Sequence, residues 1–202
     1  MKGDSFSKTR VEAFSDGIFA IIVTLLVLEI KVPHITDGAS IPQLAQQLVH
    51  LLPKFVSWLI SFLTVCVIWV NHHRIFAQVG RVNHRLFWLN AILLLWVSFV
   101  PFPTALMGDY PLNSLAVLLY GGVMSCVAVS FFLIRRAVLA DGVGLHPGLD
   151  IKAFAGARRA SLLMGVVPYA AATAVAWFLP IVAIATYLAI PVFFSLPRRA
   201  VH

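Results

Sequence analysis

Six runs of predominantly apolar residues, at about 11–30, 55–72, 86–107, 112–134, 161–178 and 181–196, fix what this 202-residue chain can be. A bilayer core of about 30 Å needs roughly 20 residues of helix to cross it, and these runs come close to that length. None alternates apolar and polar residues in the ten-residue pattern of a membrane strand, which argues against a β-barrel. With 60% of its residues hydrophobic and 11% charged, the chain lacks the polar surface to cover a water-soluble particle of this size. The expectation is an all-α, polytopic membrane protein, with residues 1–202 forming a single domain of six transmembrane helices. Pro168 and Pro191 fall in the shorter fifth and sixth runs, where they kink a membrane helix without abolishing it.

The basic residues between the runs set an orientation. Lys2, Lys8 and Arg10 precede the first run, Arg74, Arg81 and Arg85 follow the second, and Arg135, Arg136, Lys152, Arg158 and Arg159 follow the fourth. Arg198 and Arg199 close the chain, leaving only Lys31 and Lys54 for the other side. The positive-inside rule then puts both termini and the second and fourth loops in the cytoplasm. The basic excess is a topology signal, so nucleic acid is not expected as a partner. Between the first two runs, Ile41, Leu44, Leu48, Leu51 and Leu52 recur at helical spacing. This segment reads as an amphipathic extension of the second helix, bent at Pro53.

Chemistry is sparse. Cys66 and Cys126 lie inside apolar runs as small hydrophobes. The histidines at 72, 73 and 84 have no zinc-site spacing, and no nucleophile elbow, phosphate loop or paired catalytic carboxylates occur. Neither catalytic residues nor a metal or other cofactor is expected. Ionisable groups within a span are functional candidates, and Asp16 lies roughly 8 Å inside the start of the first run at Val11. Further along, Ile21, Leu25 and Leu28 share one face with Thr24 beside them. Spacing alone leaves open whether that stripe faces lipid, a packing seam or a pore.

The string Arg10-x3-Phe14-Ser15-Asp16-Gly17 resembles the signature of the transmembrane protein 175 family of potassium channels, endosomal and lysosomal in animals and also prokaryotic. Trp69-x2-His72, Leu89-Asn90 and Phe99-x-Pro101-Phe102 continue the resemblance. One copy of the signature is similar to the prokaryotic single-repeat form, which implies a homotetramer in a prokaryotic plasma membrane with the first helix lining a four-fold pore. The resemblance further implies that Ile21, Leu25 and Leu28 line that pore, with Ile21 the narrowest ring and Thr24 near it. It also implies that Arg10, Ser15, Asp16, His72 and Asn90, with Trp69 beside them, knit the cytoplasmic ends of the first three helices together.

Within that reading Asp16 is expected to pair with Arg10, His72 or both, because an unpaired carboxylate at that depth is costly. The permeant ion is K⁺, with other monovalent cations as candidates. No Arg-rich voltage-sensor span is present, and the Arg135–Arg136 pair is expected in a loop. A proton-coupled secondary transporter using Asp16 and His72 as a relay is the alternative, and a membrane scaffold without transport is a third reading.

Overall fold

The computed structural model describes residues 5–141, 154–156, 159 and 162–195, and within them the chain is all-α apart from one two-residue β-bridge. Helix α1 spans Lys8–Leu25 and tightens into a 3₁₀ turn at Leu26–Glu29. Helices α2 and α3 span Ile41–His50 and Leu52–Phe76, α4 and α5 span His84–Ser98 and Pro101–Asp109, and α6 spans Ser114–Asp141. A π-helical turn at Leu162–Val166 leads into α7, Val167–Ala176, followed by α8, Pro180–Ser195. Among the described residues, four helical stretches are long and apolar enough to cross a membrane: Lys8–Glu29, Leu52–Phe76, His84–Asp109 and Ser114–Ala140. Helices α7 and α8 are apolar but shorter.

The amphipathic segment departs from its expected form. It is a separate helix, α2, N-capped by Ser40, whose Oγ accepts from Gln43 N at 3.4 Å. The chain turns at Leu51, the C-cap of α2, while Pro53 sits in the first turn of α3, where its missing N–H removes no helical bond. The third span also departs from a continuous helix. Pro101 and Pro103 lack the N–H groups that Val97 O and Phe99 O would have accepted, so the ladder shortens to three-residue steps. Val100 N donates to Val97 O at 3.1 Å, and Phe102 N to Phe99 O at 3.2 Å.

Lipid is as apolar as leucine, so helices in a bilayer associate through close packing and interhelical hydrogen bonds. Helix α6 packs against α4, α5 and α7, with Tyr120, Val117 and Met124 buried along it. Tyr120 and Tyr187 are fully buried, their ring centroids 5.3 Å apart. Gly121 makes room for this pair: a Cβ there would collide with Tyr187 Oη and Thr173 Oγ1. Gly121→Ala is therefore expected to destabilise the protein by about 1–3 kcal/mol through overpacking. Thermal melting of the detergent-solubilised protein checks this, and a variant melting with the wild type would contradict it.

Both basic residues on the minority side have local partners. Lys31 Nζ donates to Leu28 O at 2.9 Å, closing the end of the first span. Lys54 Nζ pairs with Asp109 Oδ1 at 2.6 Å, tying α3 to α5. At the opposite end Ser5–Phe6 pairs antiparallel with Val82–Asn83, and Phe6 stacks on Phe87 with centroids 4.4 Å apart. Two-residue strands carry no periodic signal, so this clasp at the start of α1 is invisible in the sequence.

Candidate pore helix and its polar anchor

Helix α1 has two contrasting faces. Val11, Ser15, Phe19 and Ile22, with Leu26 just beyond, recur every three or four residues and are buried against the bundle. On the opposite side Ile21 is 59% exposed, Leu25 43% and Leu28 58%, and Thr24 is exposed with them. The described residues leave this apolar stripe uncovered over the last two turns of the first span. Thr24 Oγ1 donates back into its own helix, with Ile21 O at 2.8 Å and Ala20 O at 3.2 Å, so its lone pairs remain on the exposed side. Leu28 lies in the 3₁₀ turn, where each residue rises about 2.0 Å instead of 1.5 Å.

The buried face of α1 is held by a chain of three side chains from three helices. Ser15 Oγ donates to Val11 O at 2.8 Å, which commits its one hydrogen. It therefore accepts from Asn90 Nδ2, 2.9 Å away on α4. That orientation turns Asn90 Oδ1 toward His72 on α3, at 2.9 Å, and assigns the proton there to His72 Nε2. Ser15, His72 and Asn90 are all buried, and the His72 ring lies between Phe76, stacked at 4.3 Å, and Phe19, tilted at 5.5 Å.

Asp16 is placed differently from its expected pairing with Arg10 or His72. Its Oδ1 accepts from Trp69 Nε1 at 2.9 Å. Arg10 is six residues earlier on the same helix, about 120° around it, and among the described residues it makes no ion pair. His72 already donates to Asn90. Trp69→Phe, which removes one donor to a partly exposed carboxylate, is expected to lower stability by only about 1 kcal/mol. A melting shift as large as that of a core deletion would show that Trp69 does more than hold Asp16.

Sequence reasoning missed two further polar links. Ser61 Oγ lies 2.7 Å from Thr104 Oγ1 and 3.4 Å from Tyr120 Oη, joining α3, α5 and α6. The spacing of Ser57, Ser61 and Thr64, four and then three residues apart on one face of the second span, was its available signal. The other is Arg135, whose Nη2 donates to Asn71 Oδ1 at 3.0 Å. It is not in a loop, because α6 runs on to Asp141.

An all-α bundle with four membrane-length helical stretches among its described residues, and a first helix that buries a polar anchor while leaving an apolar stripe uncovered, has the make-up of a polytopic membrane protein. The sequence pattern of the endosomal/lysosomal potassium channel TMEM175 family matches residues 10–101. A potassium channel of Chamaesiphon minutus is 46% identical over 136 residues, covering 65% of this chain and 66% of that protein. One from a Chryseobacterium strain is 31% identical over 198 residues, covering 97% and 96%. The zebrafish endosomal/lysosomal proton channel TMEM175 is 32% identical over 143 residues, 71% of this chain but 26% of that longer protein. The crystal structure of the Chamaesiphon minutus potassium-selective TMEM175 homologue superimposes with a TM-score of 0.82 at 34% identity, covering 93% of this chain and 96% of that one. The chain belongs to the TMEM175 family, a family of ion channels and not of enzymes.

Proposed function

We propose that this chain is the subunit of a homotetrameric, potassium-permeable cation channel, and that Ile21, Thr24, Leu25 and Leu28 line its pore. The observation that carries the proposal is the uncovered apolar stripe on α1, a helix anchored to its neighbours by its opposite face. Four such stripes meeting on one axis would enclose a narrow apolar conduit, with six membrane-crossing segments per subunit around it. Both termini would lie in the cytoplasm of a prokaryotic cell, because the basic residues gather at that end.

A ring of isoleucine side chains offers no oxygen to replace an ion's water. An ion must pass hydrated or shed part of its shell, and Na⁺ holds its smaller shell more tightly than K⁺. A modest preference for K⁺ follows without carbonyl ligands. Where the ring narrows further, an apolar lining can dewet and close the path, so one constriction can act as both sieve and gate.

The test is cation flux from proteoliposomes holding the purified full-length chain. A K⁺ gradient should drive non-saturating flux, weaker when Na⁺ is substituted. A proton arm belongs in the assay because the zebrafish relative is named a proton channel. Absence of flux for every ion would overturn the proposal. Saturating flux that follows an imposed pH gradient would favour the carrier reading, with Asp16 and His72 as its relay.

A further inference from the structure

Among the described residues, Arg135 is a buried cation without an anion. Its side chain lies within the last turns of α6 and is only 8% exposed, whereas its neighbour Arg136 is exposed. Arg136 behaves as basic residues at the end of a membrane helix usually do, reaching out to water. Arg135 does not. Among the described residues its guanidinium makes one hydrogen bond, from Nη2 to Asn71, and no ion pair. Its Nε is buried with no acceptor. One face of the guanidinium is covered by the Phe154 ring, 5.6 Å from Cζ to the centroid, which leaves the edges to find a partner.

A guanidinium stays charged at any physiological pH, so burial cannot be relieved by losing a proton. A counter-charge with acceptors that match the planar fork offsets the cost of burial best. We propose that Arg135 is the receptor of a phosphate-binding site at the basic end of the bundle. Phosphate oxygens fit the fork in pairs, and this end of the helices is where the proposed orientation places the anionic inner leaflet. A phospholipid headgroup and a free phosphate share that chemistry. Asn71, which accepts from Arg135, directly precedes His72 on α3, so the site abuts the chain of bonds that ends at Ser15 on the proposed pore helix.

The experiment titrates the purified full-length protein in detergent with dioctanoyl phosphatidylglycerol and, separately, with inorganic phosphate, following the rise in melting temperature. Wild type should be stabilised by at least one probe. Arg135→Gln should weaken half-saturation about tenfold, and Arg136→Gln by less than about threefold. Stabilisation by the lipid alone assigns the site to a headgroup, and stabilisation by inorganic phosphate assigns it to a soluble ligand. If Arg135→Gln does not fold, Arg135→Lys keeps the charge, loses the fork and should still bind several-fold more weakly than wild type. Failure of both probes to stabilise wild type, or unchanged affinity in the Arg135 variant, overturns the proposal.

Discussion

Proteoliposomes carrying Ile21→Ser are expected to conduct both K⁺ and Na⁺ more freely and to lose most of their discrimination between them. Ile21 is more than half exposed in the subunit, so the substitution removes little packing, and a stability change within about 0.5 kcal/mol is expected. The permeation effect should be far larger. Four hydroxyls at the proposed narrowest ring would widen it, wet it and supply oxygens to a partly dehydrated ion. A barrier lower by about 1.4 kcal/mol raises flux about tenfold, and Na⁺ gains more than K⁺ because its shell was the harder to strip. Leu95→Ser is the control, since Leu95 is 63% exposed on α4 and lies about 140° around that helix from Asn90, which bonds α1. Reversal potentials that stay at their wild-type values under asymmetric K⁺ and Na⁺ would remove Ile21 from the constriction.

Asn90→Ala should have the largest effect on stability among substitutions at the polar anchor. It breaks two interhelical bonds and strands the His72 Nε2 proton in a site where water has no access. Interhelical hydrogen bonds in membranes are individually modest, averaging about 0.6 kcal/mol, but a buried unpaired donor adds about 1–3 kcal/mol. A loss of about 2–4 kcal/mol follows, visible as a lower melting temperature in detergent. Ser15→Ala should be milder, because it breaks one interhelical bond where Asn90→Ala breaks two. Combined with Asn90→Ala it should add little, since both act on one chain of bonds. Strictly additive losses would mean that the bonds form independently.

The apolar runs and one face of α1 were legible in the sequence because apolar length and period-3.6 spacing are properties of the chain itself. The stripe Ile21, Leu25, Leu28 could be read, although spacing could not say what it faces. Pairings between helices were harder. Asp16 was expected to find the nearest opposite charge, yet helical rotation carries Arg10 away and Trp69 arrives from 53 residues on. The break before Pro101 was marked by its prolines, but a membrane helix tolerates proline, so the residues alone did not say whether it would break. Arg135 was hidden because hydropathy ends a span at the first pair of charges, whereas α6 continues while Asn71 and Phe154 receive the guanidinium.

The bond between Asn90 and Ser15 joins residues 75 apart in sequence. A ribosome making about 5–20 residues each second needs roughly 4–15 s to add that much chain. For that interval the first helix exists without the partner of its buried face, and its N-terminal strand awaits Val82 and Asn83. Until then Ser15 is satisfied by its own backbone. The helix proposed to line the pore is thus the first to be made and is locked only once α4 has followed it. Faults in it would surface as slow maturation of the nascent chain before they surface as altered conductance.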